Sequence, residues 1–359
     1  MIMRGYINLL SRQSSITPRL HRPTFAFTGS SLARKERRNI TMPSHHESRR
    51  APRHLSMTEH YIPSPLPNTP FVDTHCHLRT TLDMAISKHC ANETEISSLQ
   101  SMTSTFFPPE LEAVVDVYCD IPINKEWEVV ADKDTWIANT WVGEYYFTMG
   151  CHPHCAKLYN EDVEAEMVRA LSHPRCVAVG ECGLDYKKSQ SPHDIQRKVF
   201  ARQIKLAVSL NKPLVVHTRE AEEDTLNILR AHLPRQHLMH VHCFTDSAVM
   251  ARTLLSEFPN CVIGVTGVIT FQTLKTTTEL LKMSGPGLLG RLVLETDSPF
   301  MVPSNCQRKK KPAYAVSHSG MIPYTATRVA ELLSSMDHEV SAEEVLLITR
   351  ENARRIYGV

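Results

Sequence analysis

At 359 residues, 42% hydrophobic and 22% charged, the chain has the composition of an ordinary soluble globular protein, long enough for one large domain or two small ones. No apolar run approaches the roughly 18 residues a membrane-spanning helix needs, which excludes an integral helical membrane protein. Residues 1–58 hold eleven bases against two acids, whereas the other 29 bases face 36 acids, so the mildly acidic body offers no broad basic platform for duplex nucleic acid.

Residues 1–65 read as a basic, Arg- and Ser-rich extension without stable structure, with short apolar patches at Tyr6–Leu10 and Phe25–Phe27. That composition fits a mitochondrial transit peptide, a disordered tail, or a segment bypassed when synthesis starts at Met42 or Met57. The expected location is the cytoplasm or nucleus, or the mitochondrion if the first 40 or so residues act as a transit peptide. Ten cysteines without short regular spacing do not form a disulfide framework, and the absence of a secretory signal points to free thiols in a reducing compartment. Cys76, Cys151, Cys182 and Cys243 stand beside candidate site histidines. They read either as ligands or nucleophiles, or as small buried residues at strand ends.

From Pro63–Pro70 onward, over residues 66–359, apolar runs of about six residues recur. They are Phe71–His75, Ala113–Cys119, Tyr145–Gly150, Cys176–Glu181, Pro213–His217, Leu238–His242, Cys261–Val265 and Leu292–Thr296. Such runs suit strands buried on both faces, as a parallel sheet requires. Helical patterns fall between several of them. Ser191-Pro192-His193-Asp194 predicts a capped start, with Pro192 at the first helical position, for a helix to about Leu210. Ser341-Ala342-Glu343-Glu344 predicts another cap before a final helix ending near Tyr357-Gly358. Eight β-then-α units predict an α/β fold closed into a (β/α)₈ TIM barrel. The competing open, doubly wound sheet lacks support, because there is no Gly-rich phosphate loop. Two long connections, 79–112 and 120–144, read as functional lids or plain excursions. The second carries Trp127, Trp136 and Trp141, which would either stack on bases or pack the loop down.

Metal-binding residue types fall at the strand ends. His75 and His77 end the first strand, Glu181 the fourth, His217 the fifth, His242 the sixth and Asp297 the eighth. In a barrel these ends share the C-terminal mouth, where active sites sit. Residues two apart at a strand end point the same way, so His75 and His77 can grip one ion. Six such groups exceed what one tetrahedral catalytic ion uses. Two ions roughly 3.5–4 Å apart use them naturally. His75, His77 and Asp297 would hold the first ion, His217 and His242 the second, and Glu181 would bridge. Imidazole and carboxylate donors suit Zn²⁺ or Mn²⁺, whereas all-oxygen sites suit Mg²⁺.

The chain from Phe71 to Val359 resembles the TatD family of metal-dependent deoxyribonucleases, of the longer eukaryotic type, within the amidohydrolase-type barrel superfamily. The residues that carry the resemblance are Asp73-x-His75-x-His77, Gly150-Cys151-His152-Pro153-His154, Gly180-Glu181-Cys182-Gly183-Leu184-Asp185, His217-Thr218-Arg219-Glu220, His242-Cys243-Phe244, Glu295-Thr296-Asp297-Ser298-Pro299 and Arg350-Glu351-Asn352-Ala353. The resemblance implies a TIM barrel and hydrolysis of DNA phosphodiesters, often as a 3′-to-5′ exonuclease, with Mg²⁺ the usual cofactor. The chain departs from the family in Pro303–Pro323, where an Arg-x-Asn-x-Pro-like element is expected.

On this reading Asp297 is the expected general base, with Glu181 able to share the role. His152 and His154 are expected to contact phosphate rather than to ligate metal. Arg219 would offer a bidentate fork to a phosphate, or else pair with Glu220 or Glu222. Lys309 and Lys310, within the Arg308–Lys311 run, would track phosphates at the mouth or remain a solvated loop, and Lys187 and Lys188 would extend that rim. The expected partner is DNA, single-stranded or at 3′ ends. The alternatives are a different substrate on the same barrel and a non-catalytic interaction protein retaining the fold.

Overall fold

The computed structural model describes residues 66, 68–89, 96–132, 141–188, 190–273, 275–284, 286–306, 316–334 and 339–359. The expectations for residues 1–65, Trp136, Lys309 and Lys310 lie outside the described residues.

Eight strands form one parallel sheet in sequential order: β1 (Phe71–Cys76), β2 (Leu111–Tyr118), β3 (Glu144–Met149), β4 (Cys176–Asp185), β5 (Leu214–Arg219), β6 (Met239–Val241), β7 (Cys261–Val265) and β8 (Leu292–Leu294). Beyond the end of β8 the chain closes onto β1. The Asp297 N–H donates to the His75 carbonyl at 2.9 Å, and the His77 N–H to the Ser298 carbonyl at 3.0 Å. This seam makes the sheet a (β/α)₈ barrel.

Strand alternation divides the core in two. Val115, Ala178, Val215, Val262 and Val293, from five different strands, form one buried cluster with Ile356 and Tyr357. These are the inward residues of the barrel. Their neighbours Val114, Val179, Leu214, Val216, Cys261, Ile263, Leu292 and Leu294 join the larger outer cluster under the helices. The period of two then carries the inward face upward from Val215 to His217 and from Val293 to Glu295 and Asp297.

The helices are α1 (Leu78–His89), α2 (Leu99–Phe106), α3 (Trp127–Val130), α4 (Glu161–Leu171), α5 (His193–Leu210), α6 (Glu222–His232), α7 (Ala248–Glu257), α8 (Thr276–Ser284), α9 (Ile322–Ser334) and α10 (Ala342–Tyr357). Helix α10 follows its sequence signals. The Ser341 hydroxyl accepts the Glu344 N–H at 3.1 Å, and Gly358 takes the left-handed closing position at φ 73°. Helix α5 departs from them. Pro192 is its cap rather than its first residue, and Ser191 makes no cap bond. The Ser191 hydroxyl instead accepts the Lys157 N–H at 3.0 Å and donates to the His154 carbonyl at 2.8 Å, tying the loop after β3 to α5.

The 79–112 connection carries α1 and α2 rather than an irregular excursion. Two of the loop tryptophans serve packing, not base stacking. Trp127 is buried against Phe147, with ring centroids 5.5 Å apart, and the Trp141 indole donates to the Leu111 carbonyl at 2.7 Å. No helix among the described residues is long and apolar enough to cross a membrane.

Candidate metal centre

The site begins with an unusual stretch of β4. Gly180 and Gly183 stand at φ +139° and +151°. A Cβ on Gly180 would meet the Val215 carbonyl oxygen at 2.5 Å, and one on Gly183 the His217 carbonyl oxygen at 1.9 Å. Only glycine lets β4 lie this close to β5. Glu181 is thereby seated beside His217, with 3% of its surface exposed.

The two oxygens of Glu181 face different partners. Oε2 lies 3.4 Å from Nε2 of His75. Oε1 lies 2.5 Å from Nδ1 of His217, 3.0 Å from Nε2 of His242 and 3.6 Å from Nε2 of His152. On the Oε2 side, Asp297 Oδ1 is 3.4 Å from Nε2 of His77 and 3.8 Å from Nε2 of His75. Donor atoms of His75, His77 and Asp297 lie within 4.8 Å of one another, as do those of His152, Glu181 and His217. His75 and His242 stack at 3.9 Å between centroids.

All six residues expected as ligands therefore gather at one mouth. His152 stands among the donors rather than out on the rim. His154 stands beside them, its Nε2 2.9 Å from Asp185 Oδ2, which is itself 3.5 Å from Nε2 of His217. Arg219 is half-buried, and among the described residues it makes no ion pair. Glu220 pairs with Lys187 at 2.6 Å instead, and Glu222 holds Ser247. The thiols are unsuited to catalysis, because burial pushes Cys76, Cys151, Cys182 and Cys243 well above their ordinary range.

Sequence reasoning missed the roles of Asp185, Glu295 and Asp73. Glu295 sits two residues before Asp297 on the same inward face, a spacing that would have flagged it. Asp185 follows Glu181 within a motif already singled out. Asp73 accepts the Thr296 N–H at 3.0 Å and the Thr296 hydroxyl at 2.6 Å, holding the chain just before Asp297. Burial raises the Asp73 carboxyl to about 7.

The electrostatics follow from burial set against close opposite charge. Burial drives His75 down to about 4 and His152 to about 3. Burial opposes charge on His77 and His217 as well. It is outweighed by Asp297 at His77 and by Asp185 and Glu181 at His217, and each rises to about 9. Glu181 is held well below the usual carboxylate range, its burial outweighed by His242, His152 and His217. The fully buried His75 also keeps an Nδ1 without a hydrogen-bond partner. Converging imidazoles and carboxylates, with protons standing where positive charge is required, fit divalent cations.

Comparison with known proteins agrees with this geometry. The family described as TatD related DNase matches residues 72–358. The human 3′-5′ RNA nuclease TATDN2 is 36% identical over 293 residues, covering 80% of this chain and 35% of its own length. The chain thus spans about a third of that relative. The uncharacterized metal-dependent hydrolase YabD of Bacillus subtilis is 32% identical over 289 residues, covering 80% of this chain and 98% of its own. A TatD family hydrolase from Entamoeba histolytica shares the fold with a TM-score of 0.64 at 18% identity, over 80% of this chain and 98% of that one. The chain belongs to the TatD-related deoxyribonuclease family of metal-dependent hydrolases.

Proposed function

We propose that this hydrolase cleaves phosphodiester bonds of single-stranded nucleic acid from the 3′ end, with two divalent cations at Glu181. The observation that carries the reading is the division of Glu181, whose oxygens face two separate donor sets. His75, His77 and Asp297 would hold one cation on the Oε2 side, and His152, His217 and His242 the other on the Oε1 side. The family description points to DNA and the human relative's name to RNA. Both strand types are therefore candidate substrates. The imidazole-rich donor set favours Mn²⁺ or Zn²⁺ over Mg²⁺.

When bound, the cations supply an acidified water and offset charge on the scissile phosphate. Asp297 takes the proton of the attacking water on its carboxylate, since it stands at the Oε2 side of Glu181 with its backbone fixed at the barrel seam. Glu181 keeps the two donor sets apart. Arg219 grips a non-bridging phosphate oxygen pair with its guanidinium fork. His154, steadied by Asp185, stands ready to protonate the leaving oxygen.

The test incubates 5′-labelled single strands and duplexes of DNA and RNA with Mg²⁺, Mn²⁺ or Zn²⁺. A ladder shortening from the 3′ end of single strands is expected. Asp297→Asn should slow it by about 10²–10⁴-fold with the thermal transition retained. Intact strands under every metal, with turnover of a small phosphoester, would move the function to a non-nucleic-acid substrate.

A further inference from the structure

We propose that Asp246 is a positioning residue for Arg219. With Glu222 it clasps the loops after β5 and β6 together, so that the guanidinium is directed to the mouth and kept free of the neighbouring acids. This inference rests on the phosphate grip read for Arg219 above.

Alternation along β5 sets the geometry. Its period of two carries the inward face from Val215 through His217 to Arg219, the last residue of the strand. Thr218, between the two, faces the other way and is buried. Its hydroxyl donates to Oδ2 of Asp246 at 3.0 Å. With that proton committed, the same hydroxyl accepts from the Thr225 hydroxyl at 3.2 Å. The clasp is reciprocal. Glu222, the first residue of α6, accepts the Ser247 N–H on Oε1 at 2.6 Å and the Ser247 hydroxyl on Oε2 at 2.7 Å. Each loop thus offers the other a carboxylate. Burial raises the Asp246 carboxyl to about 6, opposed by the Thr218 hydroxyl and, more weakly, by the Glu220 N–H. At pH 7 it is therefore ionised and accepts from both.

Two further observations support the clasp. The backbone on either side of Arg219 is constrained: the Tyr186 N–H donates to the Arg219 carbonyl at 3.0 Å, and Glu220 stands at φ 54°. A residue other than glycine keeps that left-handed backbone only where its surroundings impose it, and such places gather at functional sites. The second observation concerns charge. Three acids belong to these two loops, and each is engaged elsewhere: Glu220 by Lys187 at 2.6 Å, Glu222 by Ser247 and Asp246 by Thr218. Arg219, without an ion pair among the described residues, keeps its fork for an anion brought from outside.

The test follows cleavage of a 5′-labelled single strand by the full chain with Mn²⁺ at several ionic strengths. It compares wild type with Asp246→Ala, Asp246→Asn, Arg219→Ala and the Asp246→Ala/Arg219→Ala double variant. Asp246→Ala should raise KM about three- to tenfold, with the loss concentrated in KM rather than kcat. Its salt slope should fall toward that of Arg219→Ala, and its Co²⁺ uptake, read by visible absorption, should match wild type. In the Arg219→Ala background the same substitution should change KM by no more than about twofold, because the side chain it positions is gone. Asp246→Asn, whose amide oxygen still accepts the Thr218 hydroxyl, should recover most of the wild-type KM. Should Asp246→Ala fail to fold, Thr218→Val removes one hydroxyl and decides the matter by the same cycle. No KM penalty, or one that adds in full to that of Arg219→Ala, would overturn the proposal alone. An Arg219→Ala variant equal to wild type, or strands that wild type leaves intact, would overturn the phosphate grip beneath it as well.

Discussion

Asp297 donates its backbone N–H to the carbonyl of His75 across the seam where β8 meets β1, at 2.9 Å. The bond that closes the barrel is therefore also the bond that sets the Asp297 carboxylate 3.4 Å from His77. Residues 222 positions apart in the chain become neighbours because an eight-stranded sheet has no free edge once its ends meet.

Metal uptake should release protons. His77 and His217 rise to about 9 in the metal-free chain, so both are charged at pH 7, whereas His75 at about 4 is already neutral. A cation must displace the two charged-state protons, so its affinity should climb with pH through neutrality and level off above about 9. Calorimetry in buffers of different ionisation enthalpy measures the protons released. A titration without buffer dependence at pH 7 would contradict these protonation states.

Arg219 stands half-buried at the end of β5 and, among the described residues, without an ion pair. Arg219→Ala should raise KM for single strands about tenfold and lower the slope of affinity against salt by about one. Arg219→Lys should recover only part of the loss, because an ammonium has no fork. Steady-state kinetics at several ionic strengths checks this. A KM and salt slope equal to wild type would mean that the side chain touches no phosphate.

Phe300 is 47% exposed and is the one aromatic among the exposed large hydrophobics of the described residues. Its N–H donates to the Asp297 carbonyl at 3.1 Å, so the ring is anchored beside the mouth. Stacking on a nucleobase is worth about 1–3 kcal/mol, so Phe300→Ala should raise KM roughly tenfold and Phe300→Tyr should not. On a strand with an abasic residue at the contacted position, wild type and Phe300→Ala should converge. Equal KM values on ordinary strands would rule out stacking.

Gly183 cannot become alanine without moving β5, since the added Cβ would lie 1.9 Å from the His217 carbonyl oxygen. Gly183→Ala should cost about 3 kcal/mol of stability. Denaturant unfolding measures it. A loss below about 0.5 kcal/mol, the usual range for an uncritical surface site, would show that the strand gives way easily.

Much of the barrel was legible in the sequence. Each observed strand overlaps a run picked out by its apolar residues, because a strand buried on both faces can tolerate little else. Ser341 and Gly358 marked both ends of α10 because a helix terminus must satisfy its own backbone locally. Ser191 misled for the opposite reason. Its hydroxyl had two possible uses, and the loop carrying His154 claimed it from a different part of the chain. Trp127 and Trp141 were ambiguous in sequence, since an aromatic that packs and one that stacks look alike until the neighbours are known.

That side chains of metal-binding types end five strands of a parallel barrel is readable from sequence alone, since the repeat and the strand termini are local properties. The sequence could not determine that Glu181 turns one oxygen to His75 and the other to His217 and His242, or that His152 joins them. Nor could it show that the Tyr357 hydroxyl meets Nδ1 of His240 at the barrel floor. Those relations were decided by tertiary structure alone, because they depend on how strands stagger around a closed sheet and on which side chains of the inward face meet across it.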